Sequence, residues 1–311
     1  MTLPVSYDRV RVRAPGKINL FLGVGAVMDD GYHRLATAFQ AVPLFEDVVA
    51  TASDDFTMTV TGAGVRIDDV PTDASNLALR AARLLAEKAG VEYGVHLDIR
   101  KGVPVAGGMG GGSADAAAAL VACDALWGTK QSATLLHLLG AELGADVPFS
   151  LLGGTAIGVG RGDELSPALV RGRFDWVLVT NSEGLSTPAV YRELDRMRAA
   201  GTAPEPGDDS DQVNVEVLHA LRAGDAHRLA GVLHNDLQQA ALSLRPDLAE
   251  TLALGVKFGA LAGIISGSGP TIAFLCGDAD DAVELQVTLS SAGHTALHAY
   301  GPVAGARFLP V

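Results

Sequence analysis

Between Pro104 and Asp115 the chain places five glycines in six positions (Gly107, Gly108, Gly110, Gly111, Gly112) and then runs directly into Ala116–Ala119 and Leu120. Glycine lets a backbone take positive φ and approach a ligand closely. An alanine run is among the strongest helix-forming compositions. Ser113 is the expected N-cap, and Asp115 falls early in the helix, where negative charge suits the dipole. The first N–H groups of a helix have no partner within it, so loop and helix start together can cradle an anion. The stretch reads as a phosphate-binding loop. It is not a Walker A motif, since no Gly-Lys-Ser/Thr closes it, and it does not fit G-x-G-x-x-G. The alternatives are a flexible linker or a tight packing site, but a linker would not feed a strongly apolar helix.

The wider chain narrows what such a loop can hold. With 311 residues there is room for two ordinary domains. A net charge of −13 argues against a nucleic-acid surface. It also requires that a bound polyphosphate be held by backbone dipoles and a few local cations against the overall field. Cys123 and Cys276 are the only cysteines, with no spacing for zinc or a disulfide framework, which fits a reducing cytoplasm. Met1–Arg11 lacks the apolar core of a signal peptide. Phe258–Gly277 carries no charge after Lys257, but Ser266-Gly267-Ser268-Gly269-Pro270 breaks it, so two buried segments around a turn are expected rather than a membrane span. The protein is expected to be soluble.

Alternation at Val10, Val12, Ile18, Leu20 and Leu22 predicts two strands, or one bent strand, around Ala14-Pro15-Gly16-Lys17. Lys17 and Asn19 share one side of that strand, either solvated or lining a cleft. Asp29–His33 reads as a turn, with Tyr32 and His33 a partly buried pair at its end. Val48–Ala52 and Phe56–Thr61 read as a hairpin. Asn76 starts a helix over Leu77–Ala89, which Gly90 ends. Val95, Leu97 and Ile99 form a strand leading to Lys101 and the glycine loop. A helix follows over Ser132–Leu143. Asp146 then stands among small and apolar residues, and the simplest reading is a turn or capping carboxylate.

Glycines at 153–162 mark a domain boundary, dividing the chain into 1–162 and 163–311. Beyond it, Phe174–Val179 is a buried strand and Ser186-Thr187-Pro188 opens a helix carrying Tyr191. Ala200–Asp211 reads as a surface loop. Helices are predicted over 213–223, 226–234 and 245–254, then strand, helix and strand over 271–276, 282–290 and 295–300. The second half is thus α+β, with helices beside a small antiparallel sheet.

Three separated pieces resemble the motifs of the GHMP small-molecule kinases: Pro15-Gly16-Lys17-Ile18-Asn19-Leu20, Gly110-Gly111-Gly112-Ser113 and Ser266-Gly267-Ser268-Gly269-Pro270-Thr271. The match runs along nearly the whole chain. Lys17–Leu20, Asp30-Gly31-Tyr32-His33, Gly144–Phe149 and Asn235-Asp236-Leu237 are most similar to the branch that phosphorylates a cytidine diphosphate alcohol of the non-mevalonate isoprenoid pathway. The resemblance implies an α/β (α+β) fold of two domains with a deep cleft between them and a left-handed βαβ unit in the first. That hand departs from the usual right-handed rule.

The same resemblance makes Asp146 the catalytic base and Lys17 its partner. It gives ATP to the loop Pro104, Val105, Ala106, Gly107, Gly108, Met109, Gly110, Gly111, Gly112, Ser113 and Ala114, with Asn76 and Lys101 as candidates for adenine contacts. Tyr32, His33 and Tyr191 would take the cytidine base, and Asn19 and Thr187 the erythritol or diphosphate. Gly267, Ser268 and Gly269 would close the cleft. Mg²⁺ would be held by ATP and water, since no carboxylate pair stands out as a metal cage. Ser113-Ala114-Asp115 departs from the commoner Ser-Ser-Asn, which puts side-chain contacts at 114 in question. The expected partners are small molecules only, with neither nucleic acid nor membrane, in a monomer or weak homodimer. Rival readings are a homoserine, mevalonate or galactose kinase of the same superfamily, or a nucleotide-binding regulator without turnover.

Overall fold

The bent-strand reading of the N-terminus resolves into one long strand, β1 (Arg9–Val27), whose register against β2 (His33–Ser53) shifts at Pro15/Gly16. The structure is a computed structural model and describes residues 8–29, 31–62, 67–207 and 212–310. Asp30, the first residues of the chain and the end of the Ala200–Asp211 segment lie outside the described residues. After β2 come β3 (Phe56–Gly62), α1 (Leu77–Ala89), β4 (Gly94–Lys101), α2 (Gly111–Trp127), α3 (Ala133–Leu143), α4 (Val147–Leu152), β5 (Thr155–Val159) and β6 (Glu164–Pro167). The remainder is β7 (Phe174–Thr180), α5 (Thr187–Ala199), α6 (Val215–Ala223), α7 (Ala226–Ala230), β8 (His234–Asn235), α8 (Gln238–Leu244), α9 (Asp247–Lys257), β9 (Ala262–Ile265), β10 (Ile272–Leu275), α10 (Ala279–Ser291), β11 (Thr295–Gly301) and β12 (Arg307–Leu309).

The first sheet runs β12-β1-β2-β4-β3, with β5 and β6 continuing from β2 and β8 lying parallel to β1. The expected hairpin of Val48–Ala52 with Phe56–Thr61 does not form. β4 inserts between them, antiparallel to β2 and parallel to β3, so that Val95 stands opposite both Ala52 and Phe56. β3, α1 and β4 thereby make a βαβ unit. Local sequence shows adjacent strands but not which later strand will come between them. The boundary expected after Gly162 falls in the turn of the β5–β6 hairpin, and β12 returns from the far end of the chain to pair with β1.

The second sheet, β11-β7-β10-β9, is antiparallel throughout. Strand periodicity explains its two-sided burial. Val177 and Val179 join Phe274 and Ile272 against α5, α8, α9 and α10. Trp176 and Leu178 face the other way, with Ile18, Leu20 and Val42 of the first sheet and Leu221 of α6. A strand covered on both faces reads as a continuous apolar run, as Trp176–Val179 does.

α2 is buried almost all round, from Ala114 to Trp127. Its small side chains let it pack against α1, β1 and β2 at once, as a helix without a polar face must. The helix expected over 226–234 stops at Ala230, because His234 and Asn235 pair with Phe21 and Leu22. α8 was not anticipated from the sequence. α3 ends before Pro148 as predicted, and α4 begins there with Pro148 in its first turn, where the missing N–H has no consequence.

Candidate functional site

The glycine loop, β1, Asp146 just before α4, the starts of α1 and α5 and the turn between β9 and β10 enclose a cleft of about 470 Å³. One end of it is built by the backbone of the glycine loop. Gly110 takes φ 72°, in the left-handed region, and turns the chain into α2 as its N-cap without any side-chain cap. Ser113 is therefore not the cap expected from sequence. Glycine makes the turn three residues earlier, leaving Ser113 inside the first turn. The first helical hydrogen bond is Ala114 N–H to Gly110 O, 2.9 Å, so the N–H groups of Gly111, Gly112 and Ser113 precede it.

Opposite this helix start stand Lys17 and Asp146. Lys17 Nζ is 3.6 Å from Asp146 Oδ2, donates to Asn19 Oδ1 at 2.8 Å and lies over the Phe39 ring. Asn19 Nδ2 donates to Thr37 Oγ1, which donates to Phe21 O, so Lys17 is held by a buried chain. Lys17 N–H also donates to Met109 O, 3.0 Å, which ties β1 to the glycine loop. Asp146 precedes α4 and caps nothing with its side chain, about a third of which is exposed. The turn-or-cap reading thus gives way to a carboxylate facing the cleft. The closeness of the parts is measurable at Gly110, where a Cβ would stand 3.6 Å from Asp146 Oδ2 and 3.4 Å from Lys17 Cγ.

The turn between β9 and β10 meets the glycine loop from the second sheet. Ser266 Oγ donates to Gly108 O, and Asn235 Nδ2 holds the turn by donating to Ile265 O and Gly267 O. A Cβ on Gly108 would lie 2.2 Å from Ser266 O, so only glycine allows this approach. Gly267 and Ser268 line the cleft and Ser268 Oγ lies 2.8 Å from Thr187 Oγ1, whereas Gly269 and Ala114 do not reach the wall.

The aromatic group is divided. Tyr191 lines the cleft, and burial together with the charge of Asp146 pushes its phenol upward, so it stays neutral. His33 sits behind it, ring centres 5.1 Å apart, with Nε2 2.8 Å from Asp195 Oδ1. Tyr32 is 55% exposed and carries the Arg161 guanidinium 4.2 Å above its ring. Arg161 and Asp195 escaped the sequence reading. Each left a signal: Arg161 is the one side chain between Gly160 and Gly162, and Asp195 lies four residues after Tyr191 on one helix face.

Both adenine candidates line the cleft, and each is also held by partners within the protein. The Asn76 side chain accepts from Ala78 N–H and donates to Pro71 O, so both ends of its amide cap and anchor α1. Lys101 Nζ lies 2.6 Å from Asp115 Oδ2 and 2.7 Å from Glu46 Oε1, with all three side chains buried. Asp115 is accordingly not an exposed first-turn charge. It sits in the interior because its β4 partner is there.

A GHMP kinase N-terminal domain model matches residues 76–154, and a GHMP kinase C-terminal model matches residues 217–295. The 4-diphosphocytidyl-2-C-methyl-D-erythritol kinase of Clavibacter michiganensis is 59% identical over 303 residues, 97% of each chain. The protein of that name from Mycolicibacterium smegmatis is 51% identical, covering 98% of this chain and 94% of its own. A crystal structure of 4-(cytidine 5'-diphospho)-2C-methyl-D-erythritol kinase is 31% identical and superposes with a TM-score of 0.74 over 94% of this chain and all of its own. An L. major mevalonate kinase, 16% identical, shares the fold with the same TM-score, covering 98% of this chain and all of its own.

Proposed function

The chain belongs to the GHMP kinases, and from that premise we propose that it phosphorylates the 2-hydroxyl of 4-diphosphocytidyl-2-C-methyl-D-erythritol with ATP, a step of the non-mevalonate route to isoprenoid precursors. Full-length relatives carrying that kinase name support the substrate. The observation that carries the chemistry is the Lys17–Asp146 pair, 3.6 Å apart, facing the helix start at Gly110–Ser113.

A sugar hydroxyl is a weak nucleophile at neutral pH, and a carboxylate in hydrogen-bond reach can take its proton in the transition state. Asp146 is that acceptor. As the hydroxyl oxygen bonds to the γ-phosphorus, the bond from phosphorus to the bridging oxygen breaks and ADP leaves. The hydroxyl proton goes to Asp146. Lys17 Nζ neutralises charge on the transferring group, and the N–H groups of Gly111, Gly112 and Ser113 donate to the nonbridging oxygens. Phosphoryl transfer asks mainly for positioning and charge neutralisation, so these few groups suffice.

Among the described residues no cluster of three His, Cys, Asp or Glu side chains could hold a metal. A Mg²⁺ would be carried on the triphosphate, held mainly by phosphate oxygens and water. When bound, such an ion neutralises phosphate charge. The acceptor's base would lie against Tyr191, with His33 and Tyr32 at its edge, and its diphosphate near Thr187 and Ser268. Arg161 adds a cation on this side. The two cysteines, both buried and unpaired, suit a reducing cytoplasm.

ADP release measured over a panel of alcohols tests the assignment. Turnover should appear with the cytidine diphosphate alcohol and be absent with homoserine, mevalonate and galactose. Turnover confined to one of those three would replace the proposed acceptor, and ATP binding without turnover on any would leave a regulator.

A further inference from the structure

Glu46, Lys101 and Asp115 have no part in the transfer just described, yet they form a nearly buried charged cluster, of which Lys101 and Asp115 border the cleft. Their side chains are 0%, 3% and 3% exposed. Glu46 comes from β2, Lys101 ends β4 and Asp115 sits in α2, so the cluster joins three elements beneath the nucleotide cradle. Lys101 Nζ donates to Asp115 Oδ2, while Glu46 Oε1 is paired with it by proximity alone, without an aligned hydrogen bond. Glu46 Oε2 accepts from Gly102 N–H at 3.0 Å. Asp115 Oδ1 is buried with no hydrogen bond.

With every group ionised, one cation would face two carboxylates and leave a net negative charge in the interior. An uncompensated buried charge is strongly unfavourable, and the ordinary outcome is that the site takes up a proton. A protonated carboxyl also gains a donor for an acceptor otherwise unpartnered. Among the described residues the charges that act on each of the three come from within the cluster, and Asp47, next along β2, pairs with Arg11 and Arg13 instead. Burial pushes the Glu46 carboxyl up to about 8, with the Asp115 charge adding and Lys101 opposing, and burial raises Asp115 as well.

Two contacts couple this cluster to the phosphate site. Gly102, held by Glu46, is the residue from which the chain enters the glycine loop. Gly111, the first residue of α2, packs so closely that a Cβ there would stand 2.9 Å from Glu46 Oε1. We propose that Glu46, Lys101 and Asp115 are positioning residues for the nucleotide: sharing one proton, the cluster is neutral and stays packed under Gly111, and losing that proton leaves a net negative charge there that loosens the packing of the cradle. This rests on the reading that the triphosphate lies at Gly110–Ser113.

Calorimetric titration of the full-length protein with a non-hydrolysable ATP analogue and Mg²⁺, from about pH 7 to about pH 9.5, tests it. Wild-type affinity should be level at the neutral end and then fall, approaching about tenfold for each pH unit beyond the transition. Asp115→Asn keeps an oxygen for Lys101 and removes one negative charge, so its affinity should stay level across the range. Glu46→Gln should behave alike, and answers the question if Asp115→Asn does not fold. At neutral pH the acceptor KM of both variants should match wild type, which a general collapse of the fold would not allow. A level wild-type profile, or the same alkaline loss in both variants, overturns the cluster's role while leaving the kinase reading intact. An analogue that fails to bind at any pH removes that reading, and the cluster's role with it.

Discussion

Asp146 shows how one side chain changes meaning between sequence and structure. In the sequence it is a carboxylate among small residues before a proline, the pattern of a turn. In the fold its side chain caps nothing and stands 3.6 Å from Lys17. Asp146→Asn removes the proton acceptor while keeping size and polarity. Turnover should fall about 100-fold or more, with affinity for a non-hydrolysable ATP analogue near wild type. ADP release and calorimetry on the same preparation separate the two effects, and undiminished turnover would take Asp146 out of the mechanism. Lys17 and Asn19 were legible as a polar pair on one strand face. That they line a cleft, joined at 2.8 Å and backed by Thr37, needed the second strand of the sheet.

At the scale of elements, the seam between the glycine loop and the β9–β10 turn is the decisive contact. Gly108 has φ 75°, and a Cβ there would press on the Ser266 carbonyl at 2.2 Å. Backbone cannot yield as a flexible side chain can, and alanine in a left-handed conformation adds roughly 1–2 kcal/mol of its own. Gly108→Ala should therefore lower the thermal midpoint and raise the ATP KM by about tenfold or more. Unchanged ATP KM and midpoint would mean that the two loops separate without consequence. The sequence announced this loop plainly through its glycine density and the alanine helix after it. It did not announce the cap, because Gly110 and Ser113 are both acceptable N-caps and only the path of the loop selects between them.

Across the whole molecule, two groups of carboxylates work against each other as pH changes. Burial pushes Asp47 up, but hydrogen bonds from Arg13 and Arg11 more than reverse this and leave it below its ordinary value of 3.8. Its contribution is present above that value and is lost as pH falls through the depressed one. Glu46 is the opposite case. The folded protein binds its proton more tightly than the unfolded chain does, so stability declines as pH rises from 4.5 to about 8. Thermal midpoints recorded across that interval should slope downward in wild type, and Glu46→Gln should flatten the slope. A midpoint that climbs steadily over the same range would contradict the assignment.

What the sequence determined by itself is local: helix starts at Asn76 and Ser132, the glycine loop, the apolar alternation of the strands and the three motifs that mark the family. Each depends on residues within a turn or two of one another. Only the tertiary structure decided that β4 enters between β2 and β3, that β12 returns to β1 and that Lys101 is held between Glu46 and Asp115. Those outcomes depend on burial shared by segments far apart in the chain. An apolar pattern specifies that a face must be covered, and it is packing among distant elements that selects what covers it.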